Sequence, residues 1–340
     1  MSNAIIFGGT GFFGTFMALH LSREKKYEKI FLYDIEDIKE KKFDYRLNQL
    51  KNHPNIIFIK GCVREPIKKF DGDDNISIIF NFAAIHREPG HEDWEYYDTN
   101  LKGASNITYW ADEIGCKDII FSSSISPYGL SEELRDESSL TVPSSAYGGS
   151  KLVSEQIHRT WLSNDLDEKK LIIVRPGVIF GPSEGGNVSR LIKAVKGNYF
   201  FYMGNRNTRK AGIYIKELIN YVMWLHDEQL ISQDKNYILA NATMNPGPSV
   251  GEYVESIQKI LKRKNFIISV PFRLLLSISK ILELFLGIFN ISHPFSPVRI
   301  KKLVNSNNII SSYAEENNYE YIYDLEDALY DWKLEYPEEW

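Results

Sequence analysis

The fold is decided near the amino terminus, by the stretch Ile5-Ile6-Phe7-Gly8-Gly9-Thr10-Gly11-Phe12-Phe13-Gly14. It fits G-x-x-G-x-x-G and, from Gly9, also G-x-G-x-x-G. Glycines at these spacings allow a tight turn from a strand into a helix, whose first N–H groups can then face a pyrophosphate. The pattern predicts a strand over Ala4–Gly8, a helix over Gly11–Ser22 and a dinucleotide site. Its candidate cofactor contacts are Gly8, Gly11, Phe12, Phe13 and Gly14.

The first half of the chain repeats this alternation of strand and helix. Its apolar runs are continuous, which is typical of strands buried on both faces of a parallel sheet. We therefore predict an α/β fold with a Rossmann-type doubly wound parallel sheet in residues 1–175. A smaller α/β lobe that binds substrate is expected in residues 176–340. The further predicted strands are Ile30–Tyr33, Ile56–Ile59, Ile76–Phe82, Asp118–Ser122 and Leu171–Arg175, with long helices at Asp93–Ile114 and Ser145–Trp161.

An acidic residue ends the second predicted strand. Asp34 lies twenty residues after Gly14. A carboxylate at this place accepts hydrogen bonds from the adenosine ribose and repels a 2′-phosphate. The sequence therefore predicts NAD rather than NADP as the cofactor.

Composition excludes several classes of protein. Forty Lys and Arg against 45 Asp and Glu give a net charge of −5, which argues against a nucleic-acid partner. The two cysteines, Cys62 and Cys116, form no disulfide framework and fit no metal spacing, so no metal is expected. Reduced thiols and an amino terminus without a signal peptide predict a cytoplasmic protein.

A second group of residues points to proton transfer. Tyr147 and Lys151 have the i, i+4 spacing that places two side chains on one helix face. A lysine ammonium beside a phenol stabilises the phenolate and lowers the tyrosine pKa. Tyr-x-x-x-Lys alone is common by chance, but Ser122-Ser123-Ser124 ends a predicted strand at the sheet edge where ligands bind. Together these residues favour catalysis over a chance match.

These motifs resemble the extended short-chain dehydrogenase/reductase superfamily, in particular its nucleotide-sugar epimerase branch. The resemblance implies a base role for Tyr147, ribose binding by Lys151 and a hydrogen bond from Ser124 to the reacting hydroxyl. It also assigns a cofactor contact to Pro176. The family's Asn-x-Ala-Ala motif is present as Asn81–Ala84, which implies that Ala83 and Ala84 line the cofactor site, and Asn100 matches the asparagine that steadies the central helix.

One position departs from the family pattern. Gly61-Cys62-Val63 stands where many members have Gly-Asp-Val to hold adenine. The resemblance still assigns Cys62 and Val63 to the adenine end. How the adenine amino group is bound without an aspartate is left open.

The residues after Ser124 bear on the type of reaction. Dehydratases of the superfamily carry an Asp-Glu pair there, whereas this chain has Ile125-Ser126-Pro127. The resemblance therefore favours a 4-epimerase that works through a transient 4-keto sugar. The alternatives are a net NAD(P)-dependent oxidoreductase, such as a keto-sugar reductase or alcohol dehydrogenase, and an NAD-sensing protein without activity. An intact Ser–Tyr–Lys set disfavours the last.

A narrower resemblance concerns the substrate. Segments including His86-Arg87, Gly186-Asn187-Val188 and Ser296–Arg299 resemble bacterial 4-epimerases that act on N-acetylglucosamine linked to undecaprenyl diphosphate. This implies a sugar diphosphate substrate, either lipid-linked or UDP-linked, used in surface-polysaccharide (O-antigen) biosynthesis. The implied substrate contacts are His86, Ser124, Asn187 and Arg209. The resemblance does not decide whether Arg209 or Lys210 binds the diphosphate. His86 and Arg87 are also compatible with a pair of solvent-exposed loop residues without a binding role.

The last feature is an apolar stretch in a basic region. Residues 272–289 read FRLLLSISKILELFLGIF, with one narrow polar stripe at helical spacing. Three charges and a short length argue against a transmembrane segment. An interfacial helix on the inner face of the cytoplasmic membrane and a helix packed in the core or at a dimer contact are both compatible with it. The resemblance also implies a homodimer.

Overall fold

The computed structural model describes residues 1–36, 44–88, 90–232, 235–277 and 305–340. Its centre is a seven-stranded sheet, in which every strand pairs parallel to its neighbours in the order β3-β2-β1-β4-β5-β7-β11. The strands are β1 (Asn3–Phe7), β2 (Ile30–Asp34), β3 (Ile56–Lys60), β4 (Ile76–Asn81), β5 (Asp118–Ser122), β7 (Lys170–Pro176) and β11 (Tyr237–Ala242). The predicted doubly wound parallel sheet is confirmed.

Helices cover both faces of this sheet because its strands are apolar on both sides. One core cluster contains Ala4, Ile6 and Leu32 with α1, and the other contains Ile5, Phe7 and Phe31 with Trp110 of α3. The helices around the sheet are α1 (Phe12–Glu24), α2 (Asp44–Leu50), α3 (Asp93–Ile114), α4 (Ala146–Ser163) and α6 (Ile215–Ile231). Strand order reverses between β1 and β4, and the carboxyl ends of these two strands form the crevice where ligands of such folds bind.

The second half of the chain contributes small elements beside that edge. Strand β11 joins the central sheet, a pairing that the loosened sequence pattern after Pro176 did not predict. Within the described residues, three two-stranded pairs lie outside the central sheet: β6 (Ser131–Arg135) with β13 (Asn307–Ile309), β8 (Val178–Phe180) with β10 (Gly212–Tyr214), and β9 (Tyr202–Met203) with β12 (Ser269–Val270). The helices of the lobe are α5 (Asn187–Lys196), α7 (Val250–Ile260), α8 (Ser312–Glu316) and α9 (Leu325–Glu335).

Helix α9 packs on the lobe as the i, i+4, i+7 spacing of Leu325, Leu329 and Trp332 predicts. Leu329 and Trp332 are fully buried, and the Trp332 ring stacks near Phe180 of β8. Residues 272–277 are helical, whereas most of the predicted apolar helix, residues 278–289, lies outside the described residues. A membrane-crossing helix, judged by length and apolar character, is not found in the described part of the chain.

Candidate active site

The glycine turn brings backbone against backbone. Gly8 has a φ of +75°, and a Cβ there would lie 2.8 Å from the Ala83 nitrogen after β4. A Cβ at Gly14 would lie 2.4 Å from the Gly8 carbonyl oxygen. Helix α1 begins after Gly11, which offers no side-chain cap. The first N–H groups of α1 therefore face the crevice, as a pyrophosphate site requires.

Asp34 lies beside this turn. Its two carboxylate oxygens accept hydrogen bonds from the Thr10 N–H at 3.1 Å and the Ile35 N–H at 2.7 Å. The carboxylate is thus fixed at the end of β2, where the sequence predicts a contact with the adenosine ribose.

Arg46 is a neighbour that the sequence did not reveal. This buried side chain of α2 donates from Nη1 to the Thr10 carbonyl oxygen at 3.0 Å. Burial lowers the pKa of Arg46 to about 10, while the charges of Glu36 and Asp34 oppose that shift. Arg46 comes twelve residues after Asp34 in no recognisable motif. Only the packing of α2 places it there.

The adenine end is formed by the segment after β3. Val63 is buried against Gly103 of α3, and its carbonyl oxygen accepts a 2.8 Å hydrogen bond from Asn106. Cys62 is half-buried, and its Sγ accepts from the Arg64 Nε at 3.4 Å. The structure places both predicted residues at the same sheet edge as Asp34.

Ser124 and Tyr147 meet beyond the end of β5. The Ser124 hydroxyl is close enough to the Tyr147 hydroxyl to act on its pKa through hydrogen bonding. Ser124 Oγ also accepts from the Ser126 N–H at 3.1 Å, which fixes its position. Burial raises the pKa of Tyr147 to about 12, and the Ser124 hydrogen bond opposes that rise. Without further charges in the cleft, the phenol therefore keeps its proton at neutral pH.

Lys151 lies one turn further along α4 and is only 2% exposed. Its Nζ donates to the Ser122 carbonyl oxygen at 2.5 Å and lies 4.4 Å from the centre of the Phe121 ring. Burial lowers the pKa of Lys151 to about 7, and the charge of Glu155 opposes the shift. A poorly solvated ammonium one helical turn from Tyr147 is suited to stabilising a phenolate.

Glu155 of α4 and Arg175 of β7 form a buried ion pair near these residues. The Glu155 carboxylate accepts two hydrogen bonds from Arg175, at 2.8 and 2.6 Å, and one from Ser123 Oγ at 2.5 Å. Arg175 also donates to the Tyr128 hydroxyl at 2.8 Å, and Tyr128 donates to Asn241 at 2.9 Å. The chain of contacts thus joins α4, β7 and β11. Sequence reasoning missed Glu155, although its i+4 spacing from Lys151 was a usable signal.

The loop after β4 forms the opposite wall. Asn100 of α3 accepts from the Ile85 N–H at 2.9 Å and donates to Ser150 Oγ at 2.9 Å, so it ties this loop to α4. His86 lies in this loop, five residues after the end of β4. Desolvation, followed by the charges of Arg87 and Lys151, lowers the pKa of His86. The charge of Lys151 therefore acts on the imidazole.

The remaining predicted residues lie in the second half of the chain. Pro176 ends β7 directly beside the site. Asn187 is exposed at the start of α5 and accepts from Arg190 at 2.8 Å. Arg209 donates to the Gly247 carbonyl oxygen at 2.6 Å. Within the described ranges, Asn187 and Arg209 form no hydrogen bond or ion pair with the three catalytic candidates, and no group of three His, Cys, Asp or Glu side chains could hold a metal.

Residues 4–240 match the model of the NAD dependent epimerase/dehydratase family. The chain belongs to this family. The enzyme is 27% identical over 300 residues to N-acetyl-alpha-D-glucosaminyl-diphospho-ditrans,octacis-undecaprenol 4-epimerase of Escherichia coli O157:H7, which covers 88% of this chain and 85% of that protein.

Solved structures share the fold. UDP-glucose 4-epimerase of Thermotoga maritima with UDP-glucose superposes with a TM-score of 0.72 at 16% identity over 99% of both chains. WbmG of Bordetella bronchiseptica in complex with NAD gives 0.71 at 15% identity, covering 99% of this chain and 94% of that one. The predicted superfamily and its epimerase branch are confirmed.

NAD is the cofactor of the enzyme, and the described residues fit it. The Gly8–Gly14 turn has no room for a Cβ at either end, the start of α1 carries no side-chain cap, and Asp34 ends β2. These are the features that a pyrophosphate and an unphosphorylated adenosine ribose require.

Proposed function

We propose that the enzyme is a sugar 4-epimerase whose substrate is N-acetylglucosamine linked through a diphosphate to a polyprenol. The observation that carries the chemistry is the Ser124 hydroxyl close to the buried Tyr147 phenol, whose pKa it lowers, one helical turn from the buried ammonium of Lys151. The activity of the Escherichia coli relative, which matches over 88% of this chain, supports the choice of substrate. Such a product would serve bacterial surface-polysaccharide biosynthesis.

The proposed division of labour follows the two halves of the chain. Residues 1–175 hold NAD through Gly8, Gly11, Phe12, Phe13, Gly14, Asp34, Cys62, Val63, Ala83, Ala84, Tyr147 and Lys151, with Pro176 at the boundary. Residues 176–340 bind the substrate through Asn187 and Arg209, and His86 and Ser124 reach it from the first half. Arg209 suits the diphosphate because a guanidinium presents several N–H donors to phosphate oxygens.

In this proposal Tyr147 moves the proton. Its phenolate accepts the proton of the sugar 4-hydroxyl, while Ser124 holds that hydroxyl in line through a hydrogen bond. Lys151 lowers the cost of the phenolate charge by its own positive charge. Bound NAD supplies the hydride acceptor, and then the hydride donor, that oxidation and reduction at one carbon require.

Epimerisation then needs the 4-keto sugar to present its other face. After the carbonyl turns within the cleft and is reduced, Tyr147 returns the proton to the oxygen. The carbon gains and loses one hydride and the oxygen one proton, so no net oxidation occurs. The absence of an acidic pair after Ser124 favours this return over elimination of water.

Product analysis tests the proposal. The protein with NAD is incubated separately with undecaprenyl-diphospho-N-acetylglucosamine and with UDP-N-acetylglucosamine. We expect conversion of the lipid-linked sugar to its galacto epimer, and none with Tyr147→Phe. Conversion of the UDP-sugar alone would contradict the proposal that the substrate is linked to a lipid carrier. Accumulation of NADH in proportion to an oxidised product would overturn epimerisation in favour of net oxidoreduction.

We also propose that the enzyme is a homodimer that works in the cytoplasm, at the inner face of the membrane. Exposed apolar side chains on the long paired helices, Tyr109 of α3 and Val153 of α4, support a dimer contact there. Light scattering should give twice the chain mass. Tyr109→Glu should give the mass of one chain, and an unchanged mass would contradict this contact.

A further inference from the structure

A surface of the second half carries exposed apolar side chains among cations. It is formed by residues 193–202, from the end of α5 into β9, and residues 262–274, which follow α7 and include β12. Phe266 is 92% exposed, and Tyr199, Ile268 and Leu274 are each more than half exposed. Exposure of this extent is costly for a phenylalanine unless something covers it.

The two segments form one continuous face. β9 and β12 pair side by side, and the Tyr202 N–H donates to the Ile268 carbonyl oxygen at 2.9 Å. Arg263 donates to the Lys196 carbonyl oxygen at 2.8 Å. A shallow depression between the segments is lined by Val195, Asn198, Phe200, Gln258, Asn265, Phe266 and Ile267. We call this face the basic-apolar surface.

Charge on the basic-apolar surface has one sign. Residues 193–202 and 262–274 contain six Lys or Arg and no Asp or Glu. These cations are Lys193, Lys196, Lys262, Arg263, Lys264 and Arg273, and all six are exposed. Within the described part of the chain, Lys262 and Lys264 take part in no ion pair, unlike Lys259 nearby, which pairs with Glu326 at 2.6 Å.

We infer that the basic-apolar surface docks the enzyme on an anionic lipid bilayer, with Phe266 entering the headgroup region. Aromatic and aliphatic side chains flanked by unpaired Lys and Arg fit that boundary, where apolar burial and attraction to anionic headgroups act together. A protein partner would need acidic groups matched to six cations, whereas a bilayer presents them at every position. The inference rests on the proposed function, whose substrate is anchored in the same bilayer.

The surface also lies near Arg209, the residue proposed to bind the diphosphate. Strand β9 leads from the surface into the loop that carries Arg206 and Arg209. Arg206 lies over the Tyr202 ring, 5.7 Å from its centre, and its carbonyl oxygen accepts from the Gly251 N–H at the start of α7. Docking at this face would therefore hold the Arg209 side of the lobe toward the membrane.

Vesicle sedimentation tests the inference without any substrate. The full-length protein with NAD is mixed with phosphatidylcholine vesicles that contain no or about one third phosphatidylglycerol. We expect binding only to the anionic vesicles, weakened by salt because the attraction is screened. Lys262→Gln combined with Lys264→Gln should weaken binding by roughly 25-fold, about fivefold for each cation removed. Phe266→Ala should weaken it at every salt concentration.

Matched variants separate this surface from charge and apolarity in general. Lys68→Gln with Lys69→Gln removes two exposed cations from the first half, and Leu166→Ala removes an exposed apolar side chain. Both should bind vesicles like the unchanged protein. Equal losses in these variants, or no binding of the unchanged protein to anionic vesicles, would overturn the inference. The inference would also be overturned if the protein self-associates, Phe266→Ala abolishes this self-association, and the variant still binds vesicles like the unchanged protein.

Vesicle sedimentation and the substrate assay test the two proposals separately, so either proposal can be contradicted while the other stands. Conversion of a UDP-sugar with intact vesicle binding would leave the docking surface in place and remove the lipid-linked substrate. Conversion of the lipid-linked sugar without vesicle binding would support the proposed substrate and overturn the docking surface.

Discussion

At the catalytic end of the cleft, polar side chains contact one another in a buried chain that runs from Ser123 through Glu155 and Arg175 to Tyr128. At the adenosine end, Asp34 instead accepts its two hydrogen bonds from backbone N–H groups, that of Thr10 in the glycine turn and that of Ile35 directly after Asp34. The first arrangement depends on four elements meeting with paired charges, whereas the second joins one side chain to two backbone groups. Substitutions at the catalytic end should therefore cost much more than substitutions at the adenosine end.

The largest effect is expected from Tyr147→Phe. Loss of the phenolic oxygen removes the proton acceptor, and proton transfer by a positioned side chain contributes about 10²- to 10⁴-fold to rate. We expect kcat to fall within that range in steady-state assays, while calorimetry shows NAD binding unchanged. Tyr109→Phe, which removes a hydroxyl from an exposed ring of α3, is the control. Substantial turnover by Tyr147→Phe would exclude Tyr147 as the base.

Glu155→Gln should destabilise the whole fold. It leaves the Arg175 guanidinium charged, 2% exposed and without its carboxylate. Breaking a buried pair from one side costs roughly 3–5 kcal/mol. Urea unfolding measures the loss, and Glu155→Gln combined with Arg175→Met should recover part of it. A loss in the free energy of unfolding below about 1 kcal/mol would show that this buried ion pair contributes no more to stability than a surface salt bridge does.

Lys151 should make stability depend on pH. Its pKa is about 7 in the folded protein and near its ordinary value of 10.5 in the unfolded chain. Between these values the unfolded chain binds more protons, so the free energy of unfolding rises with pH. For the NAD-free protein we expect a rise of about 2 kcal/mol from pH 7.5 to 9.5 that Lys151→Met lacks. Equal pH dependence in both proteins would contradict the low pKa.

The smallest effect is expected from Asp34→Asn. An amide keeps the side-chain shape but loses the charge. A hydrogen bond contributes about 1.5–3 kcal/mol when one group is charged and about 0.5–1.5 kcal/mol when both are neutral, so the change loses about 1.4 kcal/mol. We expect NAD affinity to fall about tenfold in calorimetry and NADP binding to fall less. Asp71→Asn removes a fully exposed carboxylate near Lys29, at the opposite edge of the sheet, and should change neither. A hundredfold loss would make the adenosine end as sensitive as the catalytic end.

The sequence predicted what local geometry controls. Asp118–Ser122 and Asp93–Ile114 have the predicted bounds, and the other predicted strands and long helices of the first half differ by one or two residues at either end. Glycine spacing, continuous apolar runs and the residue at the end of a strand are each properties of a short segment. The fold class was therefore predictable without a structure, and the same local patterns identified the glycine turn, Asp34 and the Ser124–Tyr147–Lys151 set as candidate site residues.

Only tertiary structure could decide which distant segments meet. The pairing of β11 with β7, the placement of Arg46 beside Thr10 and the Glu155–Arg175 ion pair join residues far apart in the chain. No periodicity encodes such contacts, because they depend on how helices and strands pack after each has formed. Burial follows from the same packing, and it is the largest cause of the raised pKa of Tyr147 and of the lowered pKa of Lys151. The residue types of the site were thus set by the sequence, and their chemistry by the fold.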